Sequence, residues 1–250
     1  MAFGYAPGDG GTLPVLHIKR DLLDQMLVSE KKRIADVEAK IDEDLKPQSF
    51  ELKDWKAEVE TTVSRPEIKV KNVVGVLEGK GPLADETIVI GSHYDHLGRG
   101  ERGSLSKGSK DIHFGADDNG SGTTGMMELA YRLASNKERE GRRIVFVAFS
   151  GEERGLLGSA YYVKNPLFPL DKTALMINLD MIGRATEDKD TKKEKLEIGG
   201  VGTAKGFEET VDRLNKKYDF TLKKTKTGVG PRDHASFYPK QVPVFFFFTG

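Results

Sequence analysis

The chain has 250 residues, enough for one large α/β domain or for one domain plus a remnant. Lys plus Arg and Asp plus Glu both number 39, so no net field draws it to nucleic acid or to an anionic membrane. Cysteine is absent, which excludes a disulfide framework and a thiolate metal site, and leaves His, Asp and Glu to hold any metal.

In chain order, four glycines at 4, 8, 10 and 11 lead into Leu13–Ile18, a short strand with no sheet partner nearby in sequence. Leu23, Met26 and Leu27 predict a short helix, and Ile34, Val37, Ile41 and Leu45 recur at helical spacing through a charged, solvated segment. From Phe50 the period changes. Ala57–Val63 and Ile68–Leu77 read as two strands joined through Arg65–Pro66, an antiparallel pair at a sheet edge. Thr87–Ile90 is a short buried strand running into Gly91–His96, and Gly98–Lys110, rich in glycine, serine and cations, is a flexible loop. The glycine-flanked Gly115–Gly122 opens a helix that carries Met126, Leu129, Ala130 and Leu133 on one face.

Ile144–Phe149 organises the chain. Its apolar, largely β-branched or aromatic residues read as a strand buried on both faces, as in the middle of a parallel sheet. Ser150–Gly151 ends that strand and Glu152–Glu153 follow at once. Beyond it, Arg154–Val163 is helical and Ala174–Leu179 is a further buried strand ending in Asp180. Arg184–Glu197 is a charge-dense exposed excursion, and Phe207, Val211, Leu214 and Tyr218 mark an amphipathic helix. Val242–Phe248, the longest apolar run, is a last strand far too short to span a bilayer. Strands alternating with helices predict an α/β fold: a mixed, mostly parallel central sheet with helices on both faces.

Such sheets place their chemistry outside the carboxyl ends of their strands, and that is where the candidate ligands fall. His93 and Asp95 follow one strand, a pattern suited to a metal-binding imidazole held by a carboxylate. Asp117–Asp118–Asn119 forms an acidic, glycine-flanked loop, which either attracts a cation or caps the helix behind it. Glu152–Glu153 is either a solvated pair or a division of labour between a metal ligand and a proton carrier. Asp180 ends a strand, and Asp233–His234 sits after the Gly228–Pro231 loop. His17, His96 and His113 have no such company and read as structural or surface residues. Together His93, Asp118, Glu153, Asp180 and His234 supply two imidazoles and three carboxylates, enough for two divalent ions if one carboxylate bridges them. Zinc suits this set, with cobalt or manganese as substitutes.

Gly91-Ser-His-Tyr-Asp-His-Leu-Gly98, Gly115-Ala-Asp-Asp-Asn-Gly-Ser-Gly122, Phe149-Ser-Gly-Glu-Glu-Arg-Gly-Leu-Leu-Gly-Ser159, Asn178-Leu-Asp180 and Asp233-His234 resemble the motifs of the M28 metallopeptidases, co-catalytic dizinc aminopeptidases. The resemblance implies a zinc-exopeptidase-like domain over residues 54–250, preceded in residues 1–53 by the remnant of a protease-associated domain and a helical connector. The family pattern continues past a Phe-Thr-Gly such as Phe248–Gly250, so the chain reads as cut at both ends. The implied reaction is hydrolysis of the N-terminal peptide bond of peptides with a free N-terminus, by a metal-bridging hydroxide with Glu152 as general base. By position, Asp118 bridges two Zn²⁺ ions, His93 and Asp180 complete one and Glu153 and His234 the other, while Asp95 supports His93. The resemblance also implies a cis peptide between Asp117 and Asp118, and leans towards a secreted or periplasmic location. Arg232 replaces the usual serine before Asp233-His234, which puts a cation beside the site. A carboxypeptidase or a glutaminyl-cyclase-like enzyme of the same fold, or a non-catalytic binding module, are the alternative readings. Oligomeric state and the preferred side chain are not legible in the sequence.

Overall fold

Seven strands form a single mixed sheet in the computed structural model, which describes residues 17–52, 55, 56, 58, 67–100, 103–106 and 108–250. They are β1 (Val73–Leu77), β2 (Thr87–His93), β3 (Arg143–Phe149), β4 (Thr173–Leu179), β5 (Lys195–Gly199), β6 (Thr221–Thr225) and β7 (Val244–Phe248). Their order across the sheet is β1-β3-β2-β4-β7-β5-β6. Four adjacent strands, β3, β2, β4 and β7, run parallel, and so do β5 and β6. β1 pairs antiparallel with β3, and β5 antiparallel with β7. β3 therefore lies one strand in from an edge, beside an antiparallel neighbour, and β4 holds the middle of the sheet. A continuous apolar run reports burial on both faces and carries no information on the direction of its neighbours.

Alternation along the strands divides the core. Val89, Val145, Val147, Phe149, Met176 and Val244 point to one face, which is covered by α4 (Leu157–Lys164) through Tyr162 and by α6 (His234–Phe237) through Phe237. Ile90, Ile144, Phe146, Ala148 and Leu179 point to the other, under Met126 of α3 (Gly122–Ser135). α5 (Phe207–Tyr218) extends that second layer over β5 and β7, with Val211 packed on Ile198 and Phe245. Each fully buried aromatic or aliphatic side chain in these clusters is worth about 1.5–3 kcal/mol.

The Arg154–Val163 prediction begins late: one 3₁₀ turn spans Glu152–Arg154, and α4 starts at Leu157. Gly151, at φ 72°, turns the chain out of β3 and permits that turn, in a backbone region that side chains with a Cβ disfavour. The excursion 184–197 ends in a strand, since Lys195 already pairs with Thr221 of β6. Most of Ala57–Val63 and of Leu13–Ile18 lies outside the described residues.

The chain divides into two compact units, Met1–Ile68 and Lys69–Gly250. The first contains the helices α1 (Arg20–Leu27) and α2 (Ile34–Asp44), joined by an Arg20–Glu38 ion pair at 2.6 Å and by the Ile34 N–H donating to the Asp24 carboxylate. All the strands and the remaining helices belong to the second unit. No helix among the described residues is long and apolar enough to cross a membrane.

Candidate active site

Three parallel strands, β3, β2 and β4, end side by side, and their carboxyl ends carry the acids and imidazoles. The register sets His93 opposite Phe149, so the turn after β3 lies next to the end of β2. Gly91 pairs with Asn178, which brings Asp180 alongside from the other flank. His93 and Asp180 are wholly buried and Glu152 nearly so. The His93 Nε2 atom lies 3.2 Å from Asp118, 3.6 Å from Asp180 and 3.9 Å from Glu152.

Asp95 holds two of these pieces. Its main-chain carbonyl lies 2.9 Å from His93 Nδ1, which turns Nε2 towards the carboxylates. Its side chain accepts the main-chain N–H groups of Glu152 at 3.1 Å and Glu153 at 3.4 Å, so β2 orients the turn that follows β3.

The acidic loop is held equally firmly. Residues Ala116–Ser121 form an irregular turn ahead of α3, with Asp118 and Asn119 outside helical geometry. The cis peptide lies between Asp118 and Asn119, one residue beyond the Asp117–Asp118 position implied by the resemblance. Asn119 ties the loop to β4: it donates to the Leu179 carbonyl and accepts from the Gly122 and Met181 N–H groups. Gly122 is needed there, because a Cβ would fall 2.4 Å from the Leu179 carbonyl oxygen. The two neighbouring aspartates then separate. Asp117 accepts the Gly183 N–H at 2.8 Å and pairs with Arg184 at 2.6 Å, whereas Asp118 faces His93.

Glu152 and Glu153 separate in the same way. Glu152 turns inward to His93. Glu153 is half-buried and meets His96, at 2.8 Å from Nδ1. Two sets of potential ligands result. The ligand atoms of His93, Glu152 and Asp180 lie within 4.8 Å of one another, as do those of His96, Asp118 and Glu153. His234 belongs to neither set. It opens α6, stacks on Phe246 with ring centroids 5.1 Å apart, and lines a cavity with Arg232, whose guanidinium is 3.2 Å from Asp180.

The electrostatics follow from burying so many charges together. Burial opposes the charge on His93, but pairing with Asp118 and Asp180 and the field of Glu152 outweigh it and raise its pKa to about 11. The same pairing, against a smaller opposing burial, lowers Asp118 below the usual carboxylate range. Burial, reinforced by Asp233 and Asp180 and opposed by His93, raises Glu152 to about 8. Burial also raises Asp233 to about 6 and, with the Arg232 charge, lowers His234 to about 4, so that imidazole is neutral at pH 7.

Several buried atoms find no hydrogen-bond partner among the described residues: His93 Nε2, Asp118 Oδ1, both oxygens of Asp180 and of Asp233, and His234 Nδ1. Those of His93, Asp118 and Asp180 meet only as ion pairs, with His93 Nε2 3.2 Å from Asp118 and Arg232 3.2 Å from Asp180, and burying charges without well-formed hydrogen bonds costs on the order of 1–3 kcal/mol each. A divalent cation relieves that cost, and an all-oxygen-and-imidazole set with no thiolate is a zinc-type set.

Two members of this constellation stand out only in three dimensions. His96 lies past the end of β2, where no strand alternation reaches it, and its adjacency to Glu153 spans 57 residues. Asp233 is wholly buried against the cluster, and beyond its place next to His234 nothing in the sequence marks it.

The profile of peptidase family M28 matches residues 72–250. Aminopeptidase YwaD of Bacillus subtilis is 34% identical over 118 residues, covering 47% of this chain and 23% of that protein. Leucine aminopeptidase 2 of Arthroderma otae is 30% identical over 179 residues, covering 70% of this chain and 33% of that protein. A solved zinc aminopeptidase from Bacillus subtilis superposes with a TM-score of 0.55 at 27% identity, over 72% of this chain and 40% of that one. The chain thus spans less than half the length of these relatives, and the residues matched by the family profile, 72–250, hold every member of the two ligand sets. On the motifs, the sheet and the profile together, the chain belongs to peptidase family M28.

Proposed function

We propose that this chain carries the catalytic centre of a two-zinc aminopeptidase. The observation that supports it most is the group of orphaned, buried ligand atoms on His93, Asp118 and Asp180, set beside a buried glutamate at adjacent strand ends. Asp118, facing His93 and grouped also with Glu153, would be shared between two ions, with His93 and Asp180 completing one set of ligands and Glu153 and His234 the other. His96 orients Glu153 through the 2.8 Å contact. When bound, zinc supplies Lewis acidity towards the scissile carbonyl and towards a water.

The protein's own groups do the rest. Glu152, buried 3.9 Å from His93 Nε2 at the adjacent strand end, takes the proton from the attacking water. The water oxygen bonds to the carbonyl carbon, the carbon–nitrogen bond breaks, and Glu152 delivers the proton to the departing amine. Asp95 fixes both His93 and the Glu152 turn, so the base and the metal ligand keep one relative geometry. The similarity to an aminopeptidase and to a leucine aminopeptidase supports an amino-terminal reaction.

The test is hydrolysis of aminoacyl-arylamides and of N-blocked peptides, with zinc and with chelator. Release of arylamine only from free-amine substrates, abolished by chelator and restored by zinc, is the expected result. Cleavage of N-blocked peptides from the carboxyl end would replace the reading with a carboxypeptidase one.

A further inference from the structure

Next to the ligand sets lies a cavity of about 310 Å³, walled by Val229, Pro231, Phe246 and Phe248 and bordered by His234. Its only charged lining residues are Arg232 and Glu197. Glu197 is already matched, at 2.8 Å from Lys223. Arg232 is matched differently. Its guanidinium sits 6.0 Å from the Phe246 ring centroid and 5.8 Å from that of Phe248, and its single acidic contact among the described residues is Asp180 at 3.2 Å. Asp180 is wholly buried, also lies 3.6 Å from His93, and belongs to the ligand set. Once Asp180 gives its charge to a cation, Arg232 stands over two aromatic faces in a cavity of mixed lining, with a positive charge and no dedicated anion among the described residues.

We propose that Arg232 recognises a substrate carboxylate in this cavity, making the site selective for acidic substrates; this rests on the aminopeptidase reading above. The guanidinium offers a planar fork that matches a carboxylate bidentately, and the two rings hold the fork in place. The cavity has room for a side chain of glutamate size. Two sources present the same chemistry beside the reacting carbonyl: an acidic side chain on the first residue, or the terminal carboxylate of a dipeptide.

The experiment compares kcat/KM for glutamyl- and leucyl-p-nitroanilide, and for leucyl-glycine and leucyl-glycinamide, in the zinc-loaded wild type, R232S and R232K. The side-chain source predicts a glutamyl-over-leucyl ratio that falls tenfold or more in R232S and in part in R232K. The dipeptide source predicts the same loss in the glycine-over-glycinamide ratio. Calorimetry supplies a readout that needs no turnover: E152Q protein should bind L-glutamate, or leucyl-glycine under the second source, more tightly than E152Q/R232S protein. If neither ratio nor either affinity responds to R232S in folded protein, Arg232 is only a counter-ion for Asp180 and the proposal is overturned. If no free-amine substrate is cleaved at all, the aminopeptidase reading fails, while the affinities still decide the role of Arg232.

Discussion

The Asp95 carboxylate accepts the main-chain N–H of Glu152 at 3.1 Å, while the Asp95 carbonyl lies 2.9 Å from His93 Nδ1. One residue therefore couples the end of β2 to the turn after β3, and sets Glu152 and His93 in a fixed relation. Asp95→Asn keeps one acceptor oxygen and replaces the other with a donor that faces an N–H. We expect a loss of about 10–100-fold in zinc affinity or activity with the thermal transition nearly unmoved, measured by metal titration and calorimetry. A variant with wild-type affinity and turnover would show that the clamp does not act on the site.

The Glu152–Glu153 pair predicts divergent losses. Glu152→Gln should keep zinc and lose about 10²–10⁴ in kcat, because the amide cannot accept a proton. Glu153→Gln should bind zinc more weakly, and excess zinc should restore part of its activity and none of that of Glu152→Gln. Zinc loss in Glu152→Gln with retention in Glu153→Gln would reverse the two roles.

His96 and His234 offer a comparison of the same kind. If His234 is the ligand and His96 an orienting partner of Glu153, His234→Ala should lose one zinc equivalent outright. His96→Ala should keep both with affinity lowered about 10–100-fold. Equilibrium dialysis against zinc separates the outcomes, and loss of an equivalent in His96→Ala alone would make His96 the ligand.

The metal-free protein has a signed pH dependence. His93 is raised from 6.5 to about 11 and Glu152 from 4.5 to about 8, so each binds its proton more tightly folded than unfolded. Between pH 6.5 and 8 the folded state holds more protons on both groups, and stability must fall as pH rises. His93 continues the decline towards pH 11. His234, lowered from 6.5 to about 4, acts with the opposite sign and only below pH 6.5, where its stabilisation is lost as pH falls. Denaturant titrations of chelated protein should therefore weaken from pH 6.5 upwards, with a shallower slope to pH 8 in Glu152→Gln. If His93 is the zinc ligand proposed above, zinc binding at pH 7 should displace its proton and release protons, detectable by calorimetry in buffers of different ionisation enthalpy. A rise in metal-free stability from pH 6.5 to 8 would contradict these shifts.

Much of the architecture was legible because buried strands write themselves as apolar runs: β2, β3, β4 and β7 all do. β5 and β6 do not. Leu196 and Ile198 alternate with Lys195 and Glu197, and the charge of Glu197 is met only across the strand pair, by Lys223. A local window reads such a pair as an exposed excursion. The sequence reads Ile68–Leu77 as an antiparallel edge strand paired with 57–63; β1 lies at the edge of the described sheet and its described partner is β3, a pairing between distant segments that no local pattern records. Strand ends locate the acids and the motif position singles out Asp118, but the physical reason that Asp118 and not Asp117 faces the site lies outside the local sequence. That distinction is made by Arg184, 67 residues away, which takes Asp117 and leaves Asp118 to His93. His96 has no partner near it in sequence; its neighbour, Glu153, comes from another strand end.

The bridging role of Asp118 is the claim on which the dizinc account stands, and zinc stoichiometry in Asp118→Asn tests it most directly. Calorimetric titration of chelator-stripped wild type should give two equivalents of zinc per chain, and Asp118→Asn should weaken both, since both ions share that carboxylate. A single equivalent in the wild type, or two equivalents of unchanged affinity in Asp118→Asn, would contradict it.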